Sequence, residues 1–446
     1  MECDILIKNV SVLTKDFEIN SNQTVAIQDS QIIAIGSSGS FTDGQYLSSE
    51  VIDGKGKLLM PGMVDGHTHT CQQYLRGRTA DEYPMVWARI LVPFESNLTE
   101  DDVYEGAKLS ALEMIKSGTT SFAESGGMHM HRVVDATVEA GLRAAITYST
   151  MDSGGFIPNS MLTSVEEAVS RGEKFYKEYQ GAGEGRVDIW FALRQVMTST
   201  PELVQAMAEK AREYNTGLHT HLAEHRDEVK HCLQNYQKRP AEFLDSMGAL
   251  GPNLLTAHNV LLSDGEISLL AERGVHLIHC PRNNYSSHGF PKTPTILHQG
   301  ISVGLGSDGA ASSSLSLFEE MRTLRSGMKA FWGLQIFDPT VMSAKELLKM
   351  ATVGGAEAIL HGEEIGVIEI GRKADLILID IDQPHILPSH NLVNSLIETV
   401  TSADVKDVII DGKIVMKNRE VLTLDEEKIL FESKNRLQSI AERAGL

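Results

Sequence analysis

Four short stretches carry residues whose types and spacing suit metal-assisted hydrolysis. The first, KLLMPGMVDGHTH from Lys57 to His69, is an apolar run broken by Pro61-Gly62 and ending in His67-Thr68-His69. Side chains at i and i+2 of a strand share a face, so both imidazoles project together from one strand end. The second stretch is HTHLAE, with His219, His221 and Glu224; the third is AHN, with His258; the fourth is GSDG, with Asp308. Three neutral imidazoles and one carboxylate make a mononuclear site for a borderline-to-hard ion with room for a water. His67, His69, His221 and Asp308 are the expected ligands of one divalent metal ion, zinc or iron. Such an ion brings the pKa of its water towards neutrality and makes hydroxide available. Asp308 can also take the proton from that water through its second oxygen. Glu224, three residues beyond His221, suits a proton carrier from water to a ring nitrogen and then to a leaving group. His258 can orient or polarise the attacking hydroxide, its alternative being a hydrogen-bonded structural histidine. His219 is the rival of His221, on the same strand face but deeper and without the HxxE relation.

These residues need elements to bring them together. Between 57 and about 360, apolar strands alternate with helices, with strand candidates at 57–64, 118–123, 143–150, 186–193, 216–221, 253–258, 275–279 and 301–306. Helix 99–117 is representative: Thr99 caps it with Asp102 three residues on, and Val103, Ala107, Ala111, Met114 and Ile115 form its apolar stripe. Eight such units predict a (β/α)8 TIM-like barrel, in which chemistry gathers at the C-terminal strand ends. The four reactive stretches fall at the ends of strands 1, 5, 6 and 8. Strand 4 ends without a lysine that could be carboxylated to bridge two ions, which favours a single metal.

Residues 1–56 and 364–421 read as short strands and turns, with Asp411-Gly412 a strong hairpin signal between 405–410 and 413–416. They predict one small β-sandwich domain built from both termini, the N-terminal part antiparallel, beside a catalytic barrel over 57–363 and a C-terminal helix within 422–446. Other histidines carry weaker signals. His129 and His131 form a second HxH in a loop, and His279 either lines the pocket or packs in the core. Trp87 and Phe94, after strand 1, are candidates to cover a planar base or to pack the core.

The chain has 446 residues with 60 acidic against 40 basic, a formal net charge of −20. That balance argues against nucleic acid or an anionic membrane as a partner. No signal peptide or membrane span is apparent, and the four cysteines are scattered without CxxC, so a cytoplasmic setting is expected.

PGMVDGHTH, HTHLAE, AHNV and GLGSDGAASS together resemble the amidohydrolase superfamily, in its branch of aminoheterocycle deaminases. That branch includes methylthioadenosine/S-adenosylhomocysteine, guanine, 8-oxoguanine and pterin deaminases and triazine hydrolases. The resemblance spans nearly the whole chain, including the terminal β domain and GRKADLILID. It implies hydrolytic deamination of a small-molecule heterocycle, a purine, pterin or adenine nucleoside, by attack of metal-bound hydroxide on a ring carbon. It equally admits a triazine-type hydrolase releasing chloride or alkylamine from the same site. A homo-oligomer, dimer or tetramer, is the family's expectation. GSDGAASSSLSLFEEM and HLAE resemble the methylthioadenosine/S-adenosylhomocysteine deaminases. After strand 4, where those enzymes carry a PHAPYT-like segment, this chain has Ala192 to Thr198 without histidine. Similarity to guanine deaminases there implies that Arg194 and Gln72 contact the substrate, the alternative for Arg194 being an ion pair with a loop carboxylate such as Glu124. Arginine offers a fork of donors to a ring carbonyl and nitrogen, and glutamine both donates and accepts.

Overall fold

The computed structural model describes residues 2–41, 46–82, 86–311 and 313–445. Eight parallel strands form the nearly closed barrel: β1 (Met63–Thr68), β2 (Thr119–Glu124), β3 (Arg143–Thr147), β4 (Val187–Gln195), β5 (Leu218–Leu222), β6 (Leu254–His258), β7 (His276–His279) and β8 (Val303–Leu305). Each pairs in parallel with its neighbour in sequence, as right-handed β/α units require. Helices such as Glu100–Ser117, Pro201–Glu213 and Asp264–Arg273 connect them. Helix Glu100–Ser117 starts in a capping box: the Thr99 hydroxyl accepts from the Asp102 amide and the Asp102 carboxylate accepts from the Thr99 amide. It ends at Gly118 with φ of 86°, the left-handed C-terminal turn that glycine adopts at little cost. Val103, Ala107, Ala111, Met114 and Ile115 are buried, so the sequence stripe faces the barrel.

The strand expected over 57–64 resolves into two. Lys57–Pro61 belongs to the small sheet, pairing parallel with Glu2–Leu13 and antiparallel with Leu376–Asp380. Only Met63–Thr68 enters the barrel. The break falls at Gly62, where a Cβ would lie 2.1 Å from the Thr120 hydroxyl. Without a side chain the backbone can press against β2 as it crosses between sheets. A continuous apolar run hides this because both halves are equally buried.

Strands from both ends of the chain make the small domain, a nine-stranded mixed sheet. Glu2–Leu13 lies antiparallel to Ile19–Gln28 but parallel to Leu47–Asp53, which corrects the expectation of an all-antiparallel N-terminal half. Turn signals announce where strands end but not the direction of the partner strand. The Asp411-Gly412 hairpin joins Val405–Ile410 to Lys413–Lys417, with φ of 52° and 76° at its two turn residues, as a two-residue hairpin turn demands. Ile5, Ile7, Val25, Ile27, Leu376 and Leu378 share its core. The chain ends in helix Glu426–Ala444. Among the described residues no helix is long and apolar enough to cross a membrane.

Barrel and sheet are joined through Arg143 at the start of β3. Its fully buried guanidinium donates to Asp375 at 2.8 and 3.3 Å and to Asp411 at 3.3 Å.

Candidate active site

Backbone packing first decides where the reactive side chains go. The seam between β8 and β1 is closed by Asp65, which accepts from the Ser307 amide at 2.9 Å and the Ser307 hydroxyl at 2.6 Å. The Asp308 amide then donates to the His67 carbonyl at 2.9 Å. Two glycines permit this approach. A Cβ on Gly306 would sit 2.8 Å from the His67 backbone, and one on Gly309 would sit 2.9 Å from that of His69. The GSDG stretch therefore works as a docking surface for HxH as well as the source of a carboxylate. Ala223, His258 and Asp308, at three strand ends, have φ of 50°, 73° and 58°. Left-handed backbone at non-glycine residues costs on the order of 1–3 kcal/mol each and persists where surroundings over-determine it.

At the mouth, donor atoms from His67, His221, His258 and Asp308 all lie within 4.8 Å of one another. His69 joins them at the edge: its Nε2 is 3.3 Å from His221 Nε2 and 3.5 Å from Asp308 Oδ1. His67 Nε2 is 3.1 Å from Asp308 Oδ1. Hydrogen bonding separates ligand candidates from the rest. His221 Nδ1 meets the Arg194 carbonyl at 2.6 Å, so it carries the proton and Nε2 presents a bare lone pair. His67 Nδ1 meets His219 Nε2 at 2.9 Å, leaving its own Nε2 turned to the carboxylate. His219 therefore supports His67 from behind. His258 differs. The Cys280 amide donates to Asn284 Oδ1 at 3.2 Å, which fixes that side chain so that its Nδ2 donates to His258 Nδ1 at 2.9 Å. The proton of His258 then sits on Nε2, 3.9 Å from both Glu224 Oε1 and Asp308 Oδ1. That atom is a donor aimed into the site and cannot be a ligand in this tautomer.

The electrostatics agree with a cation site. Burial holds His67, His69 and His221 well below their ordinary pKa, neutral and ready to ligate. Burial also lifts Asp308 to about 6. Lone pairs of neutral imidazoles converge on Oδ1 of a half-buried carboxylate whose Oδ2 accepts from Asn283, an arrangement that suits a divalent cation. The residues fit the metal that the donor set implies.

Around this cluster the remaining expectations separate. Glu224, after β5, sits beside His258, and its main-chain amide is held by Glu228, which accepts from Ala223 and Glu224 at 2.9 Å each. Arg194 is buried and forks onto Glu95 at 2.9 and 3.0 Å, while Gln72 donates to the same carboxylate at 2.8 Å. Arg194 Nη1 and Nη2 and Gln72 Nε2, donors expected to read a ring carbonyl, thus meet Glu95, a partner 99 residues away from Arg194, while Arg194 Nε is buried without a partner among the described residues. They tie the loop after β1 to the end of β4. Trp87 lies in an apolar cluster with Val92, Met151 and Ile157, its ring edge-on to Phe156 at 5.5 Å. His279 is buried at the end of β7 and bonds the His258 carbonyl at 3.0 Å, so it braces the neighbouring strand end. Phe94 is core. His129 and His131 stand apart beside Glu100, at 3.7 and 3.6 Å. Asp65, Glu95, Gln195 and Asn284 were not singled out from the sequence, and His288 stood out there only as one of the histidines, with His276 and His279, around strand 7; each acts through partners far along the chain, and a polar residue next to a motif was the main available hint.

Comparison with known proteins bears on the same residues. A family model described as the amidohydrolase family matches residues 58–415. The chain is 36% identical, over 99% of both chains, to a 5-methylthioadenosine/S-adenosylhomocysteine deaminase of Pelotomaculum thermopropionicum. It is 35% identical, over 99% of each, to a 5'-deoxyadenosine deaminase of Methanosarcina acetivorans. A crystal structure of an adenosine deaminase from Xanthomonas campestris with bound zinc superposes with a TM-score of 0.92, at 28% identity and 99% coverage of both chains. With the strand-end histidines and aspartate gathered at the mouth of a β/α barrel, and the family model covering that whole barrel, the chain belongs to the amidohydrolase family.

Proposed function

We propose that this protein is a metal-dependent hydrolytic deaminase of an amino-substituted N-heterocycle, with adenine nucleosides of the kind named for its relatives as the first substrates to examine. The observation that carries the reading is the convergence of His67, His69, His221 and Asp308 beside Glu224 and an Nε2-protonated His258. One divalent ion would be held by those three imidazoles and Asp308, with zinc favoured by the zinc-bound structure noted above and iron the alternative. When bound, it supplies Lewis-acid activation of a water at neutral pH.

The protein's own groups do the rest. Asp308, whose second oxygen is held by Asn283, is placed to take a proton from the attacking water. His258 Nε2–H, between Glu224 and Asp308, can orient that water's oxygen. Glu224 carries a proton to the ring nitrogen, which makes the adjacent carbon electrophilic, and then to the departing amine. Atoms balance: water gives its oxygen to the ring carbon and its protons to the ring and to ammonia. The Arg194–Glu95–Gln72 cluster is a neutralised buried support, so substrate discrimination falls to other groups around the mouth.

An ammonia-release assay over methylthioadenosine, S-adenosylhomocysteine, 5'-deoxyadenosine, adenosine, guanine, pterin and aminotriazines tests the reading. Ammonia from adenine nucleosides supports it. Chloride or alkylamine release from triazines without ammonia from any member overturns it.

A further inference from the structure

Glu224 is gripped at both carboxylate oxygens. Oε1 lies 3.1 Å from His288 Nε2, and Oε2 accepts from Gln195 Nε2 at 3.2 Å. Gln195 ends β4, while His288 follows helix Pro281–Ser287 after β7, so the two donors approach from separate parts of the barrel rim. We propose that His288 and Gln195 are positioning residues for the proton carrier: together they hold the Glu224 carboxylate in one attitude, and His288 also sets its charge. This rests on Glu224 being the proton carrier of the preceding reading.

The reasons are geometric. A glutamate side chain has several torsions, and a carrier that must meet first a water and then a ring nitrogen gains from being held. Glu224 has both faces of its carboxylate occupied, so rotation would break a bond on either side. His288 is itself anchored. Its amide and that of Gly289 both donate to the Asn284 carbonyl at 2.8 Å. The same asparagine's side chain fixes the tautomer of His258, so one residue sets two neighbours of Glu224. The groups facing His288 are Glu224, the His225 ring at 6.1 Å, the His258 ring at 6.4 Å and the more distant Asp308. Although burial opposes ionisation of both partners, Glu224 is held well below the usual carboxylate range, by His258 and then His288, and His288 is raised above its ordinary value by Glu224. The His288 side chain is 20% exposed against 12% for Glu224, which puts the imidazole on the solvent side of the carboxylate.

The test compares H288L, H288Q, Q195L and E224Q with the wild-type metal-loaded enzyme by kcat, KM, metal content and the pH profile of kcat/KM. H288L is expected to lose about tenfold to a hundredfold in kcat, with KM within about threefold of wild type. H288Q keeps an N–H donor without the charge. It should recover most of kcat while its acid limb moves to higher pH, because Glu224 then protonates more easily. Q195L should lower kcat without moving that limb. A kcat for H288L within about twofold of wild type, or an acid limb shared by wild type, H288L and H288Q, overturns the proposal. Should H288L fail to fold, H288Q and Q195L decide it by the same criteria. An active E224Q would overturn this inference and the parent reading together. An inactive E224Q beside wild-type-like H288L and Q195L would overturn the inference alone.

Discussion

Replacing Glu224 by glutamine keeps its size but removes the carboxylate that must accept and return a proton, and sets an amide donor against one of the two donors, Gln195 and His288, that hold it. Activity should fall by about 10²–10⁴-fold while the metal content, measured by elemental analysis, stays at the wild-type level, because Glu224 is no ligand. H221A should instead lose the metal itself. Its Nε2 is directed inwards by the contact of its Nδ1 with the Arg194 carbonyl at 2.6 Å. H258N should keep metal and lose turnover, since His258 presents a proton rather than a lone pair. Metal retained in H221A but lost in H258N would reverse the assignment of ligand and donor. At this scale much was legible. HxH, HxxE, a lone histidine and GSD each stand at a strand end, and strand periodicity places them there without coordinates. For Arg194 the sequence left open a substrate contact and an ion pair with a loop carboxylate such as Glu124; that the carboxylate is Glu95, and that Gln72 shares it, was not legible. Both find Glu95 across the mouth, and nothing local in Leu193-Arg194-Gln195 announces a carboxylate so far away in the chain.

At the scale of elements, the site depends on how closely β8 lies against β1. Gly306 and Gly309 allow contact distances at which no Cβ fits, and Ser307 bonds Asp65 across the seam. G306A should push Asp308 away from His67 and weaken metal binding by about tenfold to a hundredfold, measured by competition with a chromophoric chelator. Overpacking a tight seam also costs about 1–3 kcal/mol, read as a lower Tm. Unchanged metal affinity in G306A would mean that the seam does not set the ligand distances. The helix Glu100–Ser117 was readable to within a residue because its capping box and stripe are local. The division of 57–64 into a sheet strand and a barrel strand was not, because Leu58, Leu59 and Met60 are as buried in one sheet as Met63 and Val64 are in the other. Only pairing partners distinguish them.

For the molecule as a whole, stability turns on the junction between barrel and sheet. Arg143 faces Asp375 and Asp411 with no exposure. R143M leaves Asp375 without its cation, Asp411 keeping Lys373 at 3.5 Å, and removing one member of a buried pair costs about 3–5 kcal/mol, visible in denaturant unfolding. A second contact couples β4 to the segment after the barrel: His361 lies 2.6 Å from Asp188 and 2.8 Å from Glu364. Burial alone would depress His361, but Asp188 and then Glu364 raise it above its ordinary 6.5. A raised histidine stabilises fully below its unfolded value and loses that contribution as pH rises through the folded one. The Tm difference between wild type and H361Q should therefore shrink as pH is raised from about 6 to about 9. A difference that is constant over that range would show that His361 does not titrate there. The two-domain plan was legible from alternation of strands with helices in the middle of the chain and strands with turns at both ends. The parallel pairing of Leu47–Asp53 beside Glu2–Leu13 was not, since strand direction is settled only when the sheet assembles.

Ammonia release from adenine nucleosides, followed before and after metal is stripped and restored, tests the central claim most directly. The account predicts release by the loaded enzyme, its loss on stripping and its return with zinc or iron. Release that is indifferent to stripping, or no ammonia from any aminoheterocycle by fully loaded protein, would contradict it.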